Sequence, residues 1–341
     1  MSFNTIHSIS TNGNTAIGLL SSSSAPSIFN NKIYNIEAKG TAATTCFGIS
    51  VTSTGTANNA SIYNNIIGDL RAPNSSVTAA NTAPQVRGIN FTATTATTTV
   101  NISFNTVHLD ASSGGTNFGS TALYVTTSAT ATTAALTLRN NLFVNNSTYS
   151  GNGRTVAYQR SSNALNNYTN ASNNNAFYAG VPGANNLIFS DGTNNDETIT
   201  DFKTRVTPRE GASFSENPTF LSIVGADATF LHLNPTIGTQ LESGGITVAG
   251  ITKDIDGDTR NVNTPDIGAD EFTGIAVDLS APGISISALS TATICTDART
   301  VTATIIDGSG VSVATGVKPR LWFKKETEND VLPATNTSAS N

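Results

Sequence analysis

Carboxylates are concentrated in one stretch of the chain, KDIDGDTRNVNTPDIGADEF at residues 253–272. Asp254, Asp256 and Asp258 alternate there as the first oxygen ligands of an EF-hand calcium loop do. That loop requires Gly at its sixth position and Glu at its twelfth, and this stretch has Thr and Pro instead. A structural calcium ion at the three aspartates is one interpretation and a metal-free turn is the other; no other cofactor is predicted.

The same stretch has features that favour the structural interpretation. Asp256-Gly257 is a tight-turn pair, because glycine adopts the positive φ that such turns need. Arg260 follows the turn and can form an ion pair with Asp270 or Glu271. We predict that this ion pair closes the end of a domain.

Catalytic residues are scarce in the chain. In residues 1–150 the carboxylates are Glu37, Asp69 and Asp110, and they fall in different segments. A calcium-dependent polysaccharide lyase needs several carboxylates on one face, and a glycosidase needs a facing pair. Arg87 is the basic residue to consider as a lyase base, and a solvated side chain is the alternative. We therefore predict no catalytic residue.

The elements that must position these residues follow a repeat. Five asparagines, 34, 40, 36 and 34 residues apart, each precede an aliphatic or aromatic residue by two positions. Self-similarity at this period indicates stacked units that cover one another's apolar faces. Asparagine tolerates the left-handed backbone of a bend and can hydrogen-bond to an equivalent amide one repeat away. We predict a structural ladder, the alternative being that asparagine is merely frequent in loops; its members are Asn31, Asn65, Asn105, Asn141 and Asn175.

A second apolar phrase falls between the asparagines in each repeat. Both phrases are about five to eight residues long and rich in Ile, Val, Phe, Tyr and Thr, which is typical of strands. Equivalent strands stacked at one-repeat intervals run parallel, with right-handed connections. The predicted fold class is therefore all-β, a right-handed parallel β-helix (solenoid) followed by a partial immunoglobulin-like β-sandwich.

Three regions are predicted along the chain. Residues 1–190 form the coils of the β-helix, truncated at the N-terminus, because Met1 aligns with an inward-facing position of later repeats. Residues 191–273 form its C-terminal coils and cap, with one short helix at Thr198 to Val206. Residues 274–341 form an incomplete immunoglobulin-like domain, since a complete one needs about 100 residues. Its alternating strand patterns lie at Gly283 to Leu289, Thr300 to Asp307 and Pro319 to Lys325.

Composition bounds the environment and the partners. Charged residues make up only 12% of the chain, about half the usual share, and the net charge is −6. The pI near 5.0 argues against nucleic acid as a partner, and no segment is apolar enough to span a membrane. Cys46 and Cys295 give no disulfide framework, and Cys46 is predicted to be a small core residue.

Several runs in the C-terminal half carry a family resemblance. ENPTFLS, FLHLNP, LESGG, DIDGDTR and PDIGADEF resemble the C-terminal coils of secreted bacterial parallel β-helix, pectin-lyase-like proteins with a choice-of-anchor module. The resemblance covers roughly residues 140–273. It implies export and display at the cell surface or release, and it implies no defined activity.

The function predicted from these features is that of a non-catalytic segment of a large exported bacterial surface protein. The β-helix would act as a stiff, monomeric spacer or as an adhesive face that contacts a polysaccharide or cell-surface glycan, outside the cell or on its surface. The alternative is a polysaccharide lyase or glycoside hydrolase of the pectin-lyase-like fold whose catalytic residues lie outside residues 1–341. A third hypothesis is a non-catalytic carbohydrate-binding module, for which the candidate aromatic residues are Tyr34, Tyr63, Tyr124 and Tyr158.

Overall fold

A computed structural model describes residues 1–23, 25–52, 58–77, 84–92, 97–277, 282–287, 301–306 and 311. The described chain is nearly all β, mostly in parallel sheets, and it divides into a first unit at 1–277 and a second at 278–341. Among the described residues, no helix has the length and apolar character needed to cross a membrane. Cys295 and the pattern predicted at 319–325 lie outside the described residues.

The strands of the first unit follow one another in short succession. The first nine are β1 (Thr5–Thr11), β2 (Thr15–Ser21), β3 (Ser27–Phe29), β4 (Lys32–Ala38), β5 (Thr45–Val51), β6 (Asn58–Tyr63), β7 (Ile66–Gly68), β8 (Leu70–Arg71) and β9 (Val86–Phe91). The next nine are β10 (Thr97–Ser103), β11 (Thr106–Leu109), β12 (Ser120–Val125), β13 (Ala135–Arg139), β14 (Leu142–Asn145), β15 (Thr155–Arg160), β16 (Ala176–Tyr178), β17 (Asn186–Ser190) and β18 (Asn195–Asp196).

These strands form three sheets, and each complete repeat contributes to all three in turn. Sheet A has the order β13-β10-β6-β3, sheet B has β1-β4-β7-β11-β14-β16 with β8 also on β4, and sheet C has β18-β17-β15-β12-β9-β5-β2. Every pairing is parallel except that of β17 with β18. The two apolar phrases of the repeat therefore occupy sheets B and C, and equivalent residues of successive repeats lie side by side.

The register places identical positions in columns that fill the interior. In sheet B the inward column runs through fully buried aliphatic and aromatic side chains, and each contacts its equivalent in the next repeat. Such stacking removes apolar surface from water without any repeat being complete alone. The column consists of Ile33, Ile67, Val107, Phe143 and Phe177.

Sheets B and C approach each other closely at a glycine. A Cβ placed on Gly48 of β5 would lie 2.4 Å from Cγ2 of Ile67 and 2.6 Å from the carbonyl oxygen of Gly88. Real Cβ contacts are essentially never that short. Glycine at this position therefore permits the apolar column of sheet B to pack directly against the backbone of sheet C.

A short helix packs at the β16–β17 end of the sheets. Helix α1 (Ile199–Val206) begins after Thr198, whose hydroxyl accepts a hydrogen bond from the backbone N–H of Asp201. Phe202 is fully buried, and its ring stacks on Phe189 of β17 with the centroids 4.9 Å apart. The helix predicted from three-and-four apolar spacing is confirmed.

Residues 214–272, here called the arm, lie against the outer face of sheet B. Phe214 forms a bridge with Ala176, and the rings of Phe220 and Phe230 pack on His108 of β11 and Tyr34 of β4. The arm thereby buries a second apolar layer on this sheet, formed by Leu142, Val144, Ala176, Leu233, Leu241 and Ile267. In the arm, β19 (Gly238–Thr239) pairs in parallel with β20 (Ile275–Ala276), which follows the arm in the chain.

Two details complete the fold. The parallel bridge of Ser2 with Phe29 places Met1 in register with the buried Ile28. The side chains of Met1 and Phe3 are 59% and 74% exposed in the first repeat, and the inward-facing position of Met1 stays a prediction. In the second unit, β21 (Gly283–Ile286) and β22 (Ala303–Ile306) form an antiparallel pair. These strands fall within two of the three patterns predicted there.

Candidate functional site

The five repeated asparagines form one column at the bend between sheets A and B. Each is fully buried, and each side-chain NH₂ group donates to the Oδ1 atom of the next asparagine at 2.8, 2.9, 3.0 and 2.9 Å. The backbone N–H of each donates to the same oxygen. Asn4 adds a rung that sequence reasoning missed, with an Nδ2–Oδ1 distance of 2.9 Å to Asn31. The members predicted from the spacing are Asn31, Asn65, Asn105, Asn141 and Asn175.

The column ends at a buried carboxylate. Glu210 is fully buried, and its carboxylate accepts hydrogen bonds from Asn175 Nδ2 at 2.9 Å and from the hydroxyls of Tyr168 and Ser213. Burial raises the pKa of Glu210 above its ordinary value, although these donors act in the opposite direction. Glu210 lies 35 residues beyond Asn175, which matches the period of the repeat, but it was missed because the repeated phrase begins with asparagine and this position holds a glutamate.

The residue before each column asparagine has a different role. Its backbone is left-handed in all five repeats, with φ between 51° and 57°. Asparagine adopts this conformation more readily than most residues, which explains the Asn-Asn pairs in the sequence. Its side chain points away from the column, and the residues concerned are Asn30, Asn64, Phe104, Asn140 and Asn174.

These outward side chains bind the arm. Asn30 and Asn64 donate to the carbonyl oxygens of Asp254 and Lys253 at 2.9 and 2.7 Å. Asn140 donates to the carbonyl of residue 246 and also accepts from its N–H group, at 2.6 and 3.0 Å. Each Asn-Asn pair therefore joins two structures, because its second residue holds the column and its first holds the arm.

Phe104 is the one residue of this row that is not an asparagine, and Arg260 of the arm packs on it. Its guanidinium lies 3.9 Å from the ring centroid of Phe104, and it donates to Asn64 Oδ1 at 3.0 Å. Its carboxylate partner is Glu271, at 3.1 Å. The predicted alternative partner, Asp270, is wrong, because the adjacent residues of this extended segment face opposite sides.

The three alternating aspartates form a turn. The Asp254 carboxylate is buried and accepts from the backbone N–H groups of Asp256, Asp258 and Glu271 at 3.0, 2.7 and 3.0 Å. Gly257 has a φ of 93°. These bonds favour the interpretation as a metal-free turn, and the calcium interpretation of Asp254, Asp256 and Asp258 stays a prediction.

A different group of side chains converges in the arm. His232 Nε2 lies 2.7 Å from Asp256 Oδ2 and 4.0 Å from Asp270 Oδ1. The hydrogen bond with Asp256 raises the pKa of His232 to about 9, and burial raises the pKa of Asp270 to about 6. Sequence reasoning missed this group, because His232 lies in the apolar phrase FLHL and is 24 residues from Asp256.

A cleft of about 790 Å³ opens beside this group. Its lining includes His232, Asp270 and a second buried carboxylate, Asp266, whose pKa burial raises to about 7. The two Asp266 oxygens accept from the backbone N–H groups of Ser243 and Phe272 at 2.6 and 2.8 Å. Asp266 therefore holds two segments of the arm together at the edge of the cleft.

The alternative interpretation of Arg87, as a solvated side chain, is wrong. Its guanidinium lies between the rings of Phe47 and Tyr124, 5.1 and 4.0 Å from their centroids. It also donates to Asn90 Oδ1 at 2.6 Å and to the carbonyl of Pro84. Burial lowers the pKa of Arg87 to about 10. These contacts give Arg87 a packing role between repeats of sheet C.

The sparse carboxylates of the first repeats are partly brought together. Arg71 of β8 pairs in register with Glu37 of β4, and its guanidinium contacts the carboxylates of Glu37 and Asp69. The two acids fall in different repeats, as predicted, and parallel pairing of β4 with β8 brings both of them to Arg71. Their charge is taken up by Arg71, which leaves a surface ion-pair group.

The four candidate tyrosines have different surroundings. Tyr158 is buried, Tyr34 is stacked on His7 and packed by the arm, and Tyr124 lies against Arg87. Tyr63 of sheet A stacks on Phe29 with the ring centroids 4.7 Å apart, and the exposed Phe3 ring packs edge-on against Phe29. Phe3, Phe29 and Tyr63 thus form an accessible aromatic strip.

Cys46 is fully buried in the core, as predicted, and burial raises the pKa of its thiol to about 12.

Comparison of the chain with models of protein families, with curated proteins and with solved structures finds no match. The resemblance to secreted β-helix proteins therefore stays a prediction.

Proposed function

We propose that residues 1–190 are a right-handed parallel β-helix that serves as a stiff, non-catalytic segment of a large exported bacterial surface protein. The observation that carries this proposal is the amide column, which runs without interruption from Asn4 to Asn175 and ends on Glu210. Three parallel sheets with a strand from each successive repeat support the same architecture.

Stiffness follows from the way neighbouring repeats are joined. Neighbouring repeats are joined by backbone ladders in three sheets, by a pair of bonds to one amide oxygen and by a stacked apolar column. Bending of the axis acts against all of these interactions. The amide bonds are buried, and a buried donor left without an acceptor costs about 1–3 kcal/mol. A rod of this kind suits a spacer between a cell surface and a more distant domain.

The arm and the second unit fit the same proposal. The motifs DIDGDTR and PDIGADEF, which carry the resemblance to the choice-of-anchor module, lie in the part of the arm that Asn30, Asn64 and Arg260 hold. The antiparallel strands of the second unit are compatible with an immunoglobulin-like domain that follows the β-helix. Export to the cell surface is part of the proposal, and protease added to intact cells of the source bacterium should cleave the protein.

The adhesive face of this segment would be the aromatic strip of sheet A. Flat, accessible rings such as those of Phe29 and Tyr63 stack on the apolar faces of sugar rings, so a polysaccharide or surface glycan is the proposed partner. In glycan binding, Tyr63→Ala should weaken retention on an immobilised polysaccharide. Tyr149→Ala, at an exposed tyrosine outside the strip, is the matched control.

Absence of catalysis is tested with a panel of acidic and neutral polysaccharides, incubated with and without calcium. Neither unsaturated uronide nor new reducing ends should form. Turnover of any member would overturn the non-catalytic assignment. It would favour a lyase or hydrolase, for which the carboxylates beside the cleft of the arm would be the first residues to substitute.

A further inference from the structure

We propose that His232, Asp256 and Asp270 bind one divalent transition-metal ion, with Zn²⁺ as the best fit. The three residues come from separate segments of the arm, and one ligand atom from each lies within 4.8 Å of the others. The proposal stands independently of the spacer function, since it concerns only the arm.

The donor set selects the class of metal. An imidazole nitrogen with two carboxylate oxygens suits Zn²⁺ and its neighbours, whereas Ca²⁺ takes six to eight oxygen ligands. Ligand atoms around a four-coordinate zinc ion lie about 3.3 Å apart. The distances from His232 Nε2 to the two carboxylates, 2.7 and 4.0 Å, bracket that spacing. Sub-ångström shifts bring these two contacts to that spacing, and the two carboxylate oxygens, which lie within 4.8 Å of each other, have to approach by up to about 1.5 Å.

The two aspartates can supply oxygens without losing their present backbone bonds. Asp270 uses Oδ2 to accept the N–H of Leu233 at 3.3 Å, and its Oδ1 faces the imidazole. Asp256 stands at the tip of the turn held by Asp254, and its side chain is 50% exposed. Neither aspartate is bound to Arg260, whose carboxylate partner is Glu271.

Space for the remaining coordination positions is present. The cleft of about 790 Å³ is lined by both His232 and Asp270, so water can reach an ion at this point. Zinc sites with three protein ligands keep a fourth position for water or another small ligand. An ion here would add a direct link between the segments around 232, 256 and 270, which already share an apolar cluster that includes Leu231, Ile255 and Ala269.

Isothermal titration of the untagged full chain with Zn²⁺ tests the proposal, with Ca²⁺ titrated in parallel. We expect one Zn²⁺ per chain and markedly weaker binding of Ca²⁺. Asp256→Asn and His232→Ala should each weaken Zn²⁺ binding by about tenfold or more. Asp258→Asn, in the same turn but outside the group, should change it less than about twofold, and His7→Ala controls for binding at a surface histidine.

A spectroscopic measurement keeps the test independent of folding effects. Co²⁺ bound in place of Zn²⁺ should give visible absorption bands of a low-coordinate site in the wild type and in Asp258→Asn, and these bands should be lost in Asp256→Asn. Because Asp256 is half exposed, the circular dichroism of that variant should match the wild type. Undiminished binding in both Asp256→Asn and His232→Ala, or absence of wild-type binding at millimolar Zn²⁺, would overturn the proposal.

Discussion

The stack of repeats and the arm are built on opposite principles. In the stack, the column asparagines and the inward apolar positions recur in register, and backbone hydrogen bonds join neighbouring parallel strands. In the arm, side chains bind backbone groups that are far away in sequence, as Asn64 binds Lys253 across 189 residues. The stack therefore depends on repetition, and the arm depends on individual contacts.

This difference predicts how far the effect of a single substitution should spread through the molecule. A change in the stack removes interactions with two neighbouring repeats at once, so its effect should spread along the axis. A change in the arm removes one anchoring contact, so its effect should remain local. Four predictions, ordered from the largest expected effect to the smallest, follow from this comparison.

The largest loss is expected from Asn105→Ala in the middle of the column. The substitution removes the acceptor of two Asn65 donors and the donor to Asn141, all of them buried. We expect the free energy of unfolding in urea to fall by about 3–5 kcal/mol. Asn4→Ala, at the exposed end of the same column, should cost less than about 1 kcal/mol. Equal losses for the two variants would mean that the column is not the main link between repeats.

Arg260→Ala should destabilise the arm more than the stack. It leaves Glu271 without its guanidinium partner and removes the cation–π contact with Phe104. We expect a loss of about 2–4 kcal/mol, read as faster amide hydrogen exchange in residues 244–271 than in sheet C. Arg260→Lys should recover only part of the loss, because lysine lacks the planar fork. Uniform deprotection of both regions would contradict the local effect.

Substitutions at Asn64 distinguish the free-energy cost of losing its hydrogen bonds from the cost of backbone strain at its positive φ. Asn64→Gly keeps the φ of 52° at no steric cost but loses the bonds to Lys253 and Arg260, which should cost about 1–2 kcal/mol. Asn64→Ala should lose about 1 kcal/mol more, since alanine is strained at that φ. Thermal unfolding of the two variants measures the difference. A more stable alanine variant would refute the strain argument.

The smallest effect concerns pH and the end of the column. Because burial raises the pKa of Glu210, the native state binds its proton more tightly than the unfolded state does. The contribution of Glu210 to stability is thus fully present below pH 4.5 and is lost as the pH rises through the raised pKa. The stability of the wild type relative to Glu210→Gln should therefore fall as the pH increases above about 4.5. A relative stability that rises with pH would show the opposite shift.

The sequence predicted the stack well because its signal is periodic. The spacing of Asn31, Asn65 and their equivalents indicates both the repeat and the residues that meet across it. Arg87 shows the limit of this approach, since it is isolated in the sequence and yet stacks on Phe47 and Tyr124, which parallel pairing places beside it. Its contacts could be predicted only after the register was known.

The arm was predictable only in part. DIDGDTR indicated a turn, which contains Gly257 at positive φ, and Arg260 pairs with Glu271, one of the two carboxylates that were predicted as alternatives. The meeting of His232 with Asp256 and Asp270 follows from how irregular segments fold over sheet B, and no spacing in the sequence encodes that path. The first asparagine of each Asn-Asn pair could be recognised in the sequence. That its side chain points outward and binds the arm could be recognised only once its positive φ was known.

One further consequence follows from the direction of the amide column. Every side-chain carbonyl in it points towards the first repeat and every NH₂ group towards the last, so the amide dipoles add and make the two ends electrically unlike. The positive end at Asn175 is neutralised by the Glu210 carboxylate. The series of amide-to-amide bonds therefore ends at this carboxylate, which accepts from the last NH₂ group and offers no N–H to a further rung.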